Sequence, residues 1–471
     1  MSHPSPRAPE GFVRGLGPFD ATMMVAGSMV GSGIFIVSAD MARQLGSPGW
    51  LLLVWLITGL LTVMAALSYG ELAAMMPRAG GQYVYLREAY GPLVGFLYGW
   101  TLFTVIQTGT IAAVAVAFAK FLGVLWPALA DLSLFGGGTW VFSGQQAVAV
   151  AVVCGLTGLN LRGLKTGRGI QNLLTVTKLL ALLGLIGLGL LMGRHLPEAF
   201  ASASFWQARS LSGEALPPLA LCAVVGTAMV GSLFSADAWN NITFTAGEVR
   251  EPQRTIPLSL ALGTLLVIGL YALANLAYLA ALPFSAIQHA PHDRVGTAAL
   301  AALIGPEAAV VMAIAIMVST FGCANGLVLA GARVYWAMAR DGLFFRRVAE
   351  LNSHGVPAFA LILQGAWACV LTLSGRYGDL LDYVIFAALL FYVVTVSAVF
   401  VLRRTRPEAE RPYRALGYPW IPALYVALAS LLLVDLLVFK PTYTWPGLAI
   451  VLLGVPVYAA WQLVQSRPGR A

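Results

Sequence analysis

Charge is the scarcest ingredient of this 471-residue chain: Asp, Glu, Lys and Arg make up only 10% of it, where a soluble domain carries about 25%. Hydrophobic residues account for 59% and the mean hydropathy is +0.81, which excludes a soluble globular enzyme. Cysteine is nearly absent too. Cys154, Cys222, Cys323 and Cys369 each lie inside an apolar run, leaving no disulfide framework and no CxxC metal site. The five histidines (His3, His195, His289, His292 and His354) fall outside those runs, and no HExxH, GxSxG or Walker string occurs. Neither an enzymatic centre nor a metal or cofactor is expected. Long polar stretches are also missing, so the function must live among the apolar runs.

Those runs have about the length needed to cross a bilayer core of about 30 Å. Twelve are read, at 19–46, 48–76, 91–125, 143–161, 169–193, 216–246, 255–282, 305–339, 357–375, 379–402, 418–438 and 443–465. The fold class is an all-α polytopic membrane protein of about twelve transmembrane helices in a lipid bilayer. Residues 1–18 are polar and proline-rich, with no apolar core or small-residue cleavage site, so no signal peptide is expected. An even number of spans puts both ends on one side. Of the 28 Lys and Arg, 19 fall on that side, 7 at the other (Arg43 and Lys120 among them, at the outer ends of their runs), and Lys178 and Arg333 deep within spans. The positive-inside rule then places both termini in the cytoplasm, under a cell (inner or plasma) membrane. The net charge of +8 is a topology signal. Its basic residues are scattered over short segments, so no nucleic-acid partner is expected.

Two runs are interrupted where hydrocarbon tolerates it least. In the first, GSMVGSGIF (27–35) brings three glycines and two serines to mid-run. Gly27 and Gly31 form a GxxxG pair suited to helix packing, but Ser32 and Gly33 add more backbone freedom than a packing face needs. In the sixth, GSLFSADAWNNITF (231–244) sets Asp237, Asn240 and Asn241 near the middle of an apolar run, where charge normally faces a cavity or a partner. Runs one and six each open a block of five. Interruptions in corresponding positions point to a secondary transporter built from inverted repeats. The blocks are 19–194 and 216–403, followed by spans 11 and 12 (418–466), with cytoplasmic tails 1–18 and 467–471. A broken helix presents N–H groups on one side of the gap and C=O groups on the other, matched to a carboxylate and an ammonium. One site offering both suits a zwitterionic amino acid.

The strings YGELAAMMPRAGGQYVYLREAYGP (69–92), NLLTVTKLLAL (172–182), FSADAWNNITFTAGEVREPQRTIP (234–257), STFGCANG (319–326) and RPYRALGYP (411–419) join GSMVGSGIF in an order that runs nearly end to end. The sequence resembles the amino acid–polyamine–organocation (APC) superfamily of permeases, and within it the L-type amino acid transporter branch with its bacterial relatives. The resemblance implies a 5+5 inverted-repeat fold plus two helices, with spans 1 and 6 unwound at the midplane. It implies that the amides of Gly31, Ser32 and Gly33 hold the substrate carboxylate, and that carbonyls at Met29, Phe234 and Asp237 hold the amino group. Phe234 would be the outer gate, and Trp239 and Asn240 match the family's WN pair. Ordinary aromatic packing is the competing reading for Phe234 and Trp239.

The resemblance also implies that Lys178 supplies an ammonium where sodium-coupled relatives bind sodium, tethering span 1 to span 8 with Ser319 or Thr320 as hydroxyl partner. A lysine reaching water through a vestibule is the alternative. The mammalian carriers join a heavy chain by a disulfide from the loop between spans 3 and 4; here that loop, 126–142, has no cysteine, so no disulfide-linked heavy chain is expected. Asp237 replaces the glycine of carriers of large neutral substrates. It either caps the loosened backbone, favours cationic substrates, or binds a proton. Glu71, Glu248, Arg250, Glu251 and Arg254 read either as an inner gate or as solvated helix-end charges. The leading expectation is sodium-independent exchange of neutral L-amino acids by alternating access. A proton-coupled symporter using Lys178 or Asp237 and a non-transporting nutrient receptor are the alternatives, and a channel is disfavoured because the polar residues gather at one depth.

Overall fold

The computed structural model describes residues 12, 14–137, 140–210, 213–374 and 377–465. Residues 1–11, 13 and 467–471 of the expected tails lie outside that set. The helices that build the bundle are α1 (Pro18–Met29), α2 (Gly33–Leu45), α3 (Pro48–Met75), α4 (Pro92–Leu125), α5 (Gly144–Asn160), α6 (Leu164–Met192), α7 (Pro218–Ser235), α8 (Asn241–Phe244), α9 (Pro252–Ala281), α10 (Val295–Ile304), α11 (Ala308–Arg340), α12 (Ala358–Ser374), α13 (Tyr377–Thr405), α14 (Trp420–Phe439) and α15 (Pro441–Gln465). Strand content among the described residues is slight, mainly one antiparallel hairpin pairing Ser133–Gly137 with Trp140–Ser143.

Local sequence explains where these helices start and stop. Pro48 opens α3 behind Ser47, whose hydroxyl accepts from the Trp50 amide, while Ser143 and Gln146 form a capping box at α5. Gly46, at φ +60°, ends α2 in the left-handed conformation that glycine reaches without steric cost. Among the described residues, ten segments are long and apolar enough to cross a membrane, with α1 and α2 counted together as one. The fourth and ninth expected spans, α5 and α12, are helices of 17 residues, shorter than the roughly 20 a full crossing takes. They pack against each other and against α4.

Contacts follow a regular rule. The α1/α2 unit packs against α7/α8, α3 against α9, α4 against α11 and α5 against α12. Each of the first four spans thus meets the span five places later. α1 is additionally wedged between α6, α9 and α11, so the break between α1 and α2 lies in the middle of the bundle. Helices α14 and α15 add to the outside against α13 and α3.

Candidate functional site

Between Met29 and Gly33 the helical path is lost. Val30 turns extended (ψ 93°) and α2 restarts with Ser32 as its N-cap. The first turn of α2 therefore presents amides without intrahelical acceptors, beside the last carbonyls of α1. The second break follows α7, where Ala236 ends the helix and Ala238 sits at φ +65°, a strained value for a residue with a Cβ. The two gaps face each other. A Cβ on Gly33 would lie 2.8 Å from the Ser235 Cβ and 3.0 Å from its Cα, so glycine here sets the closeness of the two broken helices.

One tyrosine that sequence reasoning missed ties them together. Tyr271 of α9 lies with its hydroxyl 3.0 Å from the Met29 carbonyl and 3.0 Å from the Ser235 carbonyl. With one proton, it donates to one of them at a time. Met29 is buried within α1's last turn, and the Phe234 carbonyl accepts from the Asp237 amide at 3.2 Å.

Lys178 is fully buried in α6. Its Nζ donates to the Gly27 carbonyl, to the Val30 carbonyl at 2.7 Å and, more weakly, to the Ser319 carbonyl at 3.4 Å. The contact with span 8 thus runs through the Ser319 backbone. The Ser319 hydroxyl instead lies 3.2 Å from the carbonyls of both Val30 and Gly31. Thr320, offered as the other hydroxyl partner, turns its hydroxyl onto Ile316 and Met317 of its own helix. A hydroxyl in a helix interior commonly satisfies itself this way, and sequence spacing does not reveal it.

The N-cap of α8 is Asn240, not Asp237, whose carboxylate instead interacts with the Ala238 backbone inside the gap. Its Oδ1 accepts from the Tyr392 hydroxyl of α13 at 2.5 Å. Asn240 donates to Gln82 Oε1 at 2.8 Å, and Gln82 donates to Thr395 at 3.0 Å. Trp239 is buried between Tyr69 (ring centroids 4.8 Å apart) and Tyr392 (5.3 Å).

Above the gaps, Phe234 meets Tyr377 edge-on at 6.0 Å, and the Tyr377 hydroxyl lies 3.1 Å from Ser32 Oγ. Tyr377 also lines a vestibule of about 740 Å³ that opens to one face of the bundle, walled by Asp40, Arg43, Lys120, Asp379 and Lys440. Tyr377 belongs to the lining of that vestibule, and Phe234 reaches it only through its ring contact with Tyr377. No spacing signal marks Tyr377, which stands at the start of its own helix.

The opposite face is closed by ion pairs. Glu248 and Arg333, both 1% exposed, meet at 3.1 Å. Glu71 accepts from Arg403 at 2.6 and 2.9 Å, with Arg411 at 3.4 Å. Arg87 pairs with Asp341, and Arg406 with Glu88 at 2.6 Å. Burial pushes the Glu88 carboxyl up, but bonds from Arg406 and Arg87 outweigh it and hold the group below the usual carboxylate range. Arg250, Glu251 and Arg254 are exposed, so of the five charges singled out in the sequence only Glu71 and Glu248 enter the seal. Among the described residues no group of three or more His, Cys, Asp or Glu side chains is placed to hold a metal.

Residues 16–457 match the sequence model of the amino acid permease family. The human large neutral amino acids transporter small subunit 2 is 30% identical over 460 residues, covering 96% of this chain and 81% of that protein. The serine/threonine exchanger SteT of Bacillus subtilis is 30% identical over 459 residues, 95% of this chain and 97% of its own. The human Asc-type amino acid transporter 1 is 28% identical over 462 residues, 96% and 83%. Matched along nearly all of its length, with its paired helix breaks in the stretch that aligns, the chain belongs to the amino acid permease family.

Proposed function

We propose that this permease is an alternating-access carrier that exchanges neutral L-amino acids without sodium. The observation that carries the reading is the ammonium of Lys178, seated on the Gly27 and Val30 carbonyls where the first helix breaks. Carbonyls converging on a helix break are a cation site, and here the cation is covalently part of the protein. A second monovalent cation meets a fixed positive charge instead of oxygen ligands. The name of the serine/threonine exchanger SteT, alignable along 97% of its length, supports exchange and small neutral substrates.

In this reading the amides of Gly31, Ser32 and Gly33 take the substrate carboxylate. The carbonyls of Met29, Phe234 and Asp237 take the amino group, using the second lone pair that a carbonyl keeps after one hydrogen bond. Phe234 gates the vestibule side and Trp239 and Asn240 brace the far side of the gap. Spans 1–5 (19–194) and 6–10 (216–403) form the two inverted repeats, a reading supported by the pairing of each span with the one five places on. Positive-inside charge supports a cytoplasmic location for both termini and for the ion-paired face, in a cell membrane. The cysteine-free loop 126–142 supports a chain that works without a disulfide-linked partner.

The test is uptake of a labelled amino acid panel into proteoliposomes, empty or preloaded, with sodium and a pH gradient each present or absent. Uptake only into preloaded vesicles, indifferent to both ions, is the expected result. Sodium-dependent uptake, or proton-driven uptake into empty vesicles, overturns the exchange reading.

A further inference from the structure

The carboxylate in the span 6 gap is already taken. We infer that Tyr392 is a specificity-determining residue: by binding Asp237 and filling the space beside it, Tyr392 confines the side-chain compartment to small uncharged side chains. This deepens the exchange reading and rests on the two gaps being the substrate site.

Three observations converge on it. First, the Tyr392 hydroxyl is 2.5 Å from Asp237 Oδ1 and 3.3 Å from Asn240 Oδ1. The Asn240 amide is oriented independently, because its Nδ2 donates to Gln82 Oε1. It therefore offers Tyr392 an acceptor, and the single phenolic proton goes to the nearer oxygen, that of Asp237. Second, the ring is packed against two others. It stands against Trp239 at 5.3 Å and Tyr69 at 6.0 Å between ring centroids, all three side chains belonging to different helices or gap segments. Third, the space around the pair is small. Two cavities flank Asp237 and Tyr392, of about 20 Å³ and about 10 Å³, each room for about one water. The larger is walled mostly by apolar side chains, Leu61, Ala65, Ile385 and Leu389 among them, with the hydroxyls of Thr62 and Tyr425 but no carboxylate besides Asp237. A lysine or arginine side chain would have to break the Tyr392–Asp237 bond and also displace the ring. A methyl or hydroxymethyl group needs neither.

The experiment uses wild type, Tyr392→Phe and Tyr392→Ser in proteoliposomes preloaded with serine. Competition against labelled serine is read for alanine, 2,4-diaminobutyrate, ornithine and arginine. Wild type is expected to reject the three cationic competitors. Tyr392→Phe frees the carboxylate and keeps the volume, so 2,4-diaminobutyrate, the shortest, should gain about tenfold or more in apparent affinity, the scale of one hydrogen bond to a charged group. Tyr392→Ser also frees space and should extend the gain to ornithine and arginine. Adding Asp237→Asn to either variant should remove the gain. Ligand-dependent thermal stabilisation of the purified proteins reads binding where flux is lost.

Wild type that takes arginine as readily as serine overturns the inference. So do two variants that bind serine and gain no cation, or a gain that survives Asp237→Asn. Wild type that binds and exchanges no amino acid is a different failure, that of the exchange reading itself.

Discussion

Replacing Lys178 by Met keeps most of the side chain's length and removes its charge, which isolates what the ammonium does. Two of its bonds are close, to the Gly27 and Val30 carbonyls of α1, and the third to Ser319 is long. Val30 keeps the Ser319 hydroxyl at 3.2 Å when the ammonium goes, so the Gly27 carbonyl is the group left orphaned. A hydrogen bond to a charged group contributes about 1.5–3 kcal/mol, and an orphaned buried carbonyl costs about 1–3 kcal/mol. Relief of the lysine's own desolvation opposes both. A net loss of about 2–3 kcal/mol in seating α1 on α6 follows, which is about a 30- to 150-fold fall in the seated population. Initial rates of serine exchange in preloaded proteoliposomes should fall by that order. Substrate-dependent thermal stabilisation of the purified variant should remain measurable, because the amides of Gly31–Gly33 are untouched. A Lys178→Met protein exchanging within threefold of wild type refutes the tether, as does sodium stimulation of wild type.

Gly33→Ala places a Cβ against the backbone of Ser235; overpacking of about 1–3 kcal/mol should spread the two gaps, and loss of substrate-dependent thermal stabilisation checks it. Glu248→Gln leaves Arg333 buried beside no counter-charge, a change worth about 3–5 kcal/mol. Its melting temperature should drop, and the double variant Glu248→Gln/Arg333→Met should recover most of the loss. Because the Glu88 carboxyl is held below its usual range by Arg406 and Arg87, its contribution is present above about pH 4.3 and fades as pH falls through the lowered folded value. The melting-temperature difference between wild type and Glu88→Gln should accordingly stay constant from pH 8 to 5 and shrink below 4; a difference that grows on acidification has the sign wrong.

Much of the fold was legible because each signal was local. Apolar runs of membrane length marked the spans, and the crowding of small residues at 27–33 marked the first break. Gly27 and Gly31 alone would fit a packed helix, but Ser32 and Gly33 directly after them add backbone freedom that a packing face does not need. Asp237 stood out for the same reason: a carboxylate inside an apolar run is visible without coordinates. The exposed state of Arg250, Glu251 and Arg254, against the buried state of Glu248 two residues from the nearest of them, was not legible. Which charge at a helix end turns inward depends on where Arg333 arrives from, 85 residues away.

The sequence by itself determined the membrane class, the two interrupted helices and the residues at the breaks, because hydropathy, helix propensity and small-residue runs act over a few turns of one chain. Only the tertiary structure decided what those breaks meet. Tyr271 bridging both gaps, Tyr377 on Ser32 and Tyr392 on Asp237 are aromatic residues in apolar helices, indistinguishable in sequence from core packing. A single hydroxyl becomes part of a site only when the packing of distant helices brings it within 3 Å or so of an acceptor, and that distance is a property of the whole bundle.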